Sequence, residues 1–252
     1  MVKGMEIFKD YFHGFQNQYV LIGGAACDIL LNEAGLAFRA TKDLDLVLIV
    51  EVLTPEFGKR FWDFVMEGGY ENRAKSNGAP QFYRFDKPKA NGFPFMVELF
   101  ARSDSIFDSG SHGCRPLHLG DEIASISAIL LNNDYYQLLL TGKTVVSDVA
   151  VLPHTYLVLF KIKAWLDLTA RKAAGQQIDD KDIRKHKNDV ARLTAIFTGD
   201  EACAVPASIL SDVMLFTEAF EKTPPDMKAL GLSGVAAKDI TEMLKSVYSL
   251  QV

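Results

Sequence analysis

The segment "DLDLVLIVE", from Asp43 to Glu51, constrains the fold more than any other part of this sequence of 252 residues. Its leucines and valines predict a buried β-strand, yet the strand begins with two acids. Side chains two residues apart on a strand point to the same face, so Asp43 and Asp45 present their carboxylates side by side. Burying charges is costly unless they are paired or bind a metal. Two interpretations are therefore open: a metal-binding pair, or a strand that simply begins in solvent.

The preceding segment, "YVLIGG", predicts a short buried strand that ends at Gly23 and Gly24, directly before the helical pattern of "AACDILLNEAG". Glycines let the backbone approach a ligand closely, and a helix N-terminus offers N–H groups to an anion. We therefore expect the terminal phosphates of a nucleotide at the two glycines, with the accompanying metal on the two acids. Arg39 and Lys42 lie just upstream of the acids and would neutralise further phosphate charge.

A third acid, Glu98, interrupts the apolar segment "FMVELF", which also reads as a strand. Two acids on one strand and a third on a neighbouring strand form an arrangement that can hold one or two metal ions for phosphoryl transfer. Mg²⁺ prefers oxygen ligands and is typically held by one or two carboxylates together with substrate phosphates. The sequence therefore predicts a Mg²⁺ site at Asp43, Asp45 and Glu98.

The two halves of the chain differ in their hydrophobic periodicity. The first half mixes strands and helices, including a helix that begins at Thr54-Pro55, and predicts an α+β (α/β) fold with a sheet rich in short strands. After a segment rich in Gly, Ser and Asp, helical patterns dominate, broken by a hairpin pattern around Ser147-Asp148. We place the domain boundary so that residues 1–115 form the sheet domain and residues 116–252 a mainly helical domain.

The distribution of charge in the sequence limits which kinds of ligand the protein can bind. A net charge of −5 argues against a chain that binds nucleic acid over its whole surface. Residues 154–192, however, hold nine Lys and Arg against five Asp, which is typical either of a surface for an RNA acceptor or nucleotide phosphates, or of a solvated helix pair.

Three widely spaced cysteines show neither a disulfide framework nor metal-ligand spacing. The N-terminal segment lacks the apolar stretch of a signal peptide, and no apolar run is long enough to span a membrane. From the sequence we expect a cytoplasmic protein without a membrane partner.

The segments "IGG", a helix and "RATKDLDLVL" together resemble the signature of the nucleotidyltransferase superfamily with the DNA polymerase β-type palm. The spacing is closest to that of the AbiEii-like abortive-infection toxins of type IV toxin–antitoxin systems. Later segments resemble this branch too, since "LVLFKIKAWLDL" carries Lys161 and Ala164 in register and "KHKNDVARL" carries Lys185 and Asp189. A second register of the last motif uses Lys181-Asp182 instead, so two acids compete for the same role.

The resemblance implies a palm-like first domain, with a mixed sheet flanked by helices, and a role for each matching residue. Asp43 and Asp45 would ligate Mg²⁺, and Glu98 would bind a second Mg²⁺ or take the proton from an attacking hydroxyl. Lys161 would contact the nucleotide from the helical domain, and Asp189 would lie at the nucleotide-binding site. The spacing of Leu157, Phe160, Ala164 and Leu168 predicts one apolar stripe on a helix, with Lys161 at its edge. The implied partners are an NTP, an RNA or protein acceptor, and an antitoxin.

Three functions are compatible with these patterns. The first is Mg²⁺-dependent transfer of a nucleotidyl group from an NTP to an acceptor hydroxyl, as the toxin of a type IV toxin–antitoxin or phage-defence system. The second is nucleotidyl transfer to a small molecule of the antibiotic type. The third is a catalytically silent module that binds a nucleotide or a partner. Three acids near one another argue for catalysis, because a silent module has no physical need of them.

Overall fold

The computed structural model describes residues 2–72, 82–101, 129–130 and 132–250. Within them the sheet-forming part of the chain contains, in order, α1 (Met5–Phe12), β1 (Tyr19–Ile22), α2 (Gly23–Glu33), β2 (Asp43–Leu48), α3 (Pro55–Gly68), β3 (Glu71–Asn72), β4 (Phe82–Asp86) and β5 (Met96–Ala101). The elements that follow are α4 (Asn133–Gly142), β6 (Thr144–Val146), β7 (Val149–Val151), α5 (His154–Ala173), α6 (Asp180–Thr194), β8 (Cys203–Val205), α7 (Ala207–Lys222), α8 (Ala237–Val247) and β9 (Tyr248–Leu250). A single 3₁₀ turn (Val50–Val52) follows β2.

Seven strands form one mixed sheet in the order β3-β4-β5-β2-β1-β7-β6. Strand β2 is at its centre, antiparallel to β1 and parallel to β5. The predicted mixed sheet flanked by helices, followed by a mainly helical region, is therefore confirmed. Strands β8 and β9 form a separate parallel pair.

An aromatic cluster covers one face of the sheet. Phe8 of α1 packs edge-on against Tyr19 of β1 at 5.5 Å between ring centroids, and Phe61 of α3 packs against Phe85 of β4 at 5.3 Å. Phe64 joins the two helices, because its ring also contacts Phe8. Edge-to-face pairs of this kind stabilise a core beyond the area they bury. The opposite face of the sheet is thereby left to carry the polar side chains.

Local sequence signals set the ends of α3 as predicted. The hydroxyl of Thr54 accepts a hydrogen bond from the backbone N–H of Phe57 at 3.3 Å, and Pro55 occupies the first helical position. Gly69 ends the helix with a φ of +61°, a left-handed conformation that glycine adopts without a steric penalty. The predicted hairpin is confirmed as well, since Ser147 and Asp148 form the turn between β6 and β7.

The described residues divide into two compact units, and the division differs from the predicted boundary at residues 115 and 116. The first unit holds the described residues up to Ala101 together with Leu139–Leu152, and the second holds the described residues between 129 and 138 and those from Pro153 onward. The physical reason is strand pairing. Strand β7 lies parallel to β1, with Leu21 opposite Val151, so the hairpin completes the sheet of the first unit.

The second unit is built around α5, whose predicted apolar stripe of Leu157, Phe160, Ala164 and Leu168 is buried. Helices α6 and α7 both pack on α5. None of the helices in the described ranges is both long and apolar enough to cross a lipid bilayer.

We expect Phe64→Ala to lower the free energy of unfolding by about 3–5 kcal/mol, because it empties the centre of the aromatic cluster. The side chain of Met66, on the same helix, is 72% exposed, so Met66→Ala should change stability by less than about 0.5 kcal/mol. Urea unfolding of both variants measures the difference. Equal effects would show that the cluster does not anchor α3.

Candidate active site

A row of polar side chains crosses the sheet from β4 to β2. Arg84 of β4 lies opposite Glu98 of β5, and Glu98 lies opposite Asp45 of β2. Asp45 in turn lies opposite Ile22, the last residue of β1. Residues directly opposite on neighbouring strands project to the same face, so the three polar groups stand side by side. The row ends where β1 passes into α2.

Asp43 belongs to the next row on the same face. It lies opposite Met96 of β5, and Met96 lies opposite Asp86 of β4. Asp43 and Asp45 are half-buried, whereas Glu98 is only 6% exposed. The structure thus brings together the three acids predicted from sequence, at the end of the sheet where β2 begins. It adds Asp86, a buried acid two strands away from Asp43, which the sequence analysis missed.

Arg84 is the functional candidate that sequence analysis did not single out. Its Nε and Nη2 atoms lie 2.7 and 2.5 Å from the same oxygen, Oε1 of Glu98. The side chain of Arg84 remains 32% exposed, whereas that of Glu98 is 7% exposed. The guanidinium therefore neutralises a carboxylate that would otherwise be buried without a compensating charge, and it fixes the orientation of that carboxylate.

The environment of Glu98 contains opposing electrostatic effects. Burial raises the pKa of its carboxyl group above the ordinary value, and the charge of Asp43 acts in the same direction. A hydrogen bond with the carboxyl group of Asp45 and the charge of Arg84 lower this pKa. The guanidinium of Arg84 therefore compensates part of the negative charge of the acids.

The acids supply some, but not all, of the ligands that a metal ion needs. Among the described residues, no three His, Cys, Asp or Glu side chains are arranged to enclose a metal by themselves. Mg²⁺, however, needs only one or two carboxylates when substrate phosphates complete its coordination. Asp43 and Asp45, on one strand face, meet that requirement. The role of Glu98 as a metal ligand stays a prediction, because Arg84 already binds one of its oxygens.

Two glycines form a close-fitting surface beside Asp45. Gly23 has a φ of +70°, and a Cβ atom on it would lie 1.7 Å from Oδ2 of Asp45. A Cβ atom on Gly24 would lie 2.7 Å from the hydroxyl of Thr41 and 3.6 Å from Nη2 of Arg39. No side chain caps the N-terminus of α2, which begins at Gly23. Backbone N–H groups at such a terminus favour an anion, and here they adjoin a guanidinium.

The other predicted phosphate-binding cation, Lys42, is exposed, and its ammonium lies 5.6 Å from the centre of the Phe95 ring. The guanidinium of Arg39 lies 4.9 Å from the centre of the Phe38 ring. Arg39 therefore adjoins the glycines, whereas nothing in the structure brings Lys42 to them. Contact of either cation with phosphate stays a prediction.

Lys161 and Asp189, predicted from the later motifs, form a buried ion pair within the helical unit. Nζ of Lys161 lies 3.2 Å from Oδ2 of Asp189, and both side chains are almost completely buried. The sequence analysis placed Lys161 at the edge of the apolar stripe, but α6 covers it because Asp189 lies opposite. The competing acid Asp182 is 3.8 Å from Lys185 on its own helix. Lys161 and Asp189 thus join α5 to α6, and their contact with a nucleotide stays a prediction.

Lys163, two residues further along α5, has a different partner. Its Nζ atom lies 2.8 Å from Oδ2 of Asp212, which also accepts a hydrogen bond of 2.9 Å from the hydroxyl of Tyr135. The two lysines therefore serve separate contacts within the helical unit.

Gly23→Ala should disrupt the site, because the new methyl group overlaps the Asp45 carboxylate and the positive φ disfavours alanine. We expect destabilisation of at least about 1 kcal/mol and loss of Mg²⁺-dependent nucleotide binding. Gly58→Ala in α3 is the matched control. A Cβ atom there meets nothing within 4 Å, so about 0.5–1 kcal/mol of stabilisation and unchanged binding are expected. Calorimetric titration with ATP and thermal melting of both variants provide the comparison.

Lys161→Met should lower the free energy of unfolding by at most about 3–5 kcal/mol, since the buried charge of Asp189 loses its lysine but keeps Arg192, whose Nη1 atom lies 3.9 Å from Oδ1. Adding Asp189→Leu should restore much of that loss, because two apolar side chains replace the pair. The double variant then separates the two roles of Lys161. If it melts normally and binds ATP about ten- to a hundredfold more weakly, the pair contacts nucleotide. If it binds ATP as the unmodified protein does, the pair is structural.

The sequence matches no protein-family profile, and no curated protein is similar to it. Among solved structures, the chain is similar to an antigenic nucleotidyltransferase-like protein from Paracoccidioides brasiliensis. The two share 14% identity, over 89% of this chain and 88% of that chain, with a TM-score of 0.41. A similarity of this size assigns neither a family nor an activity, so the function has to be argued from the residues of the site.

Proposed function

We propose that the protein transfers a nucleotidyl group from an NTP to an acceptor hydroxyl in a Mg²⁺-dependent reaction. The observation that carries the proposal is the row of Arg84, Glu98 and Asp45, which leads directly to the uncapped helix terminus at Gly23. Carboxylates beside an anion-binding helix terminus combine the two things a nucleoside triphosphate requires, ligands for its metal and donors for its phosphates.

In this proposal each part of the site has one task. Asp43 and Asp45 hold Mg²⁺, which when bound neutralises charge on the phosphates and favours departure of pyrophosphate. The backbone N–H groups at Gly23 and Gly24 bind the triphosphate, and Arg39 adds a positive charge beside them. Because the glycines lack side chains, the phosphates can approach the backbone closely.

The reaction forms one bond and breaks one. The oxygen of the acceptor hydroxyl attacks the α-phosphorus of the NTP, and the bond from that phosphorus to the bridging oxygen breaks as pyrophosphate leaves. Glu98 accepts the hydroxyl proton, which requires an oxygen that Arg84 does not occupy. The two nitrogens of Arg84 that contact Glu98 at 2.7 and 2.5 Å both lie on Oε1, and they hold the carboxylate in a fixed orientation. The protein otherwise contributes by positioning the reactants.

The identity of the acceptor, and with it the biological role of the protein, rests on the resemblance of the motifs alone. A toxin of a type IV toxin–antitoxin or phage-defence system would use an RNA or protein hydroxyl as acceptor and would have an antitoxin partner. A small-molecule acceptor would require the same chemistry at the row of acids. Incubation of the protein with each labelled NTP and either total RNA or cell lysate distinguishes these acceptors by the product that carries the label.

One observation favours a second candidate, a silent module that binds a nucleotide or a partner. Arg84 already neutralises Glu98 in the absence of metal, through two contacts with its carboxylate. A binding module could keep these contacts for stability and bind nucleotide without Mg²⁺. Calorimetric titration with ATP, with and without Mg²⁺, separates the candidates, because the proposed enzyme needs the metal.

Asp45→Asn should abolish transfer and reduce Mg²⁺-dependent ATP binding at least about tenfold, since an amide is a poor substitute for a metal-binding carboxylate. The melting temperature without metal should stay the same or rise slightly, because one of several crowded acids is removed while a hydrogen-bond donor to Glu98 is kept. Asp10→Asn, at an exposed position of α1, is the charge-matched control and should change neither property. A large fall in melting temperature for Asp45→Asn would indicate a structural role instead.

A further inference from the structure

The helical unit contains a cavity of about 410 Å³ between α5 and α6, separate from the row of acids. Ligand-binding cavities in proteins start at about 300 Å³, so this one has room for a small molecule. Its walls combine an aromatic ring, aliphatic side chains and several charges, contributed by Trp165, Thr169, Lys172, Ala173, Asp180, Ile183, Arg184 and Lys187.

The walls of the cavity carry more positive than negative charge. Nζ of Lys172 lies 2.6 Å from Oδ1 of Asp180, so these two charges compensate each other. Arg184 and Lys187 are three residues apart on α6 and therefore share a face of the helix. The charge of Arg184 also acts on Asp180, whereas the hydrogen bond of the Lys187 ammonium goes to a backbone carbonyl. The walls of the cavity carry a net charge of about +2, which suits a dianion.

Lys187 lines the cavity, and partial burial there disfavours the charge of its ammonium group. Its ammonium donates a hydrogen bond of 2.7 Å to the backbone carbonyl of Thr223, which leaves two N–H donors for another group. Partial burial lowers the pKa of the ammonium below its ordinary value. An anion beside Lys187 would offset this desolvation, and Arg184 can add a guanidinium whose planar fork matches phosphate oxygens.

The size of the cavity indicates that the anion is part of a larger ligand. Its apolar wall includes Trp165, which is 8% exposed and packs edge-on against Phe216 behind it, and Ile183. An inorganic phosphate alone would leave this apolar wall without a contact. A nucleotide or the end of an RNA chain offers both a dianionic phosphate and an apolar body.

We propose that the cavity binds a phosphate-bearing ligand, with the phosphate between Arg184 and Lys187 and the body of the ligand against Trp165. This site does not depend on the proposed transfer reaction, since it shares no residue with the row of acids. It gives the excess of positive charge in residues 154–192 a specific location on α5 and α6. The phosphate can come from a free mononucleotide or from the 5′ end of an RNA.

The test follows the fluorescence of Trp165 in the Trp62→Phe variant, which leaves a single tryptophan. The protein is titrated with inorganic phosphate, AMP, adenosine, and a short RNA with or without a 5′ phosphate. AMP should bind at least about tenfold more tightly than adenosine, because charge-assisted hydrogen bonds to phosphate are worth about a factor of ten or more. Tighter binding of the 5′-phosphorylated RNA than of AMP would identify RNA as the source of the phosphate, and the reverse order a free nucleotide.

Variants of the two cations give the decisive comparison. Lys187→Gln should weaken AMP binding about tenfold and Arg184→Gln about threefold or more, since Arg184 is the more exposed of the two. Lys181→Gln removes the same charge from an exposed position of α6 outside the cavity and should change binding less than about twofold. Asp45→Asn should leave AMP binding to this cavity unchanged, which separates it from the proposed transfer site.

Three results would overturn the proposal: no fluorescence change with AMP up to about 10 mM, equal affinity for AMP and adenosine, or equal losses from Lys181→Gln and Lys187→Gln. Circular dichroism of each variant checks that the helices are intact. Because Arg184 lies on the surface, its replacement tests the site even if Lys187→Gln fails to fold.

Discussion

The contact on which the site depends is the ion pair between Arg84 and Glu98. A carboxylate in the middle of a sheet loses most of its hydration, and the free energy lost has to be supplied by a partner. Arg84 supplies it with two nitrogens on one oxygen, at 2.5 and 2.7 Å. Once Glu98 is held in this way, it can accept the hydrogen bond of Asp45. The orientation of the acids therefore begins on β4, two strands away from β2 in the sheet.

The aromatic cluster on the other face of the sheet supplies stability that offsets the cost of the polar row. Tyr19 of β1 and Phe85 of β4 pack against α1 and α3 on one side, and Val20, Val47 and Phe100 add buried apolar side chains to the side that carries the acids. Charges of the same sign can then be crowded at one end of the sheet. The chain separates the two requirements by the alternation of side chains along each strand, in which Leu44 and Leu46 lie between and beyond the acids on the apolar face.

What sequence predicted well depends on local pattern. The shared face of Asp43 and Asp45, the cap at Thr54 and the turn at Ser147-Asp148 all follow from residues within a few positions of one another. Arg84 was missed because its importance depends on the pairing of β4 with β5, which no local pattern encodes. Lys161 looked like an edge residue for a similar reason, since its burial depends on Asp189 of the next helix. Strand register between distant segments and the packing of helices on one another therefore could not be predicted from local sequence patterns.

The position of the β6–β7 hairpin has a consequence for handling the protein. Strand β7 lies beside β1, although more than a hundred residues separate them along the chain. A fragment that stops near residue 115 would lack both hairpin strands and would expose β1 as an apolar edge, with Val20 and Leu21 among its residues. Bare edges of this kind pair with other chains and promote aggregation. The sheet unit is therefore discontinuous in sequence, and its separate expression would need the hairpin joined to it by an engineered linker.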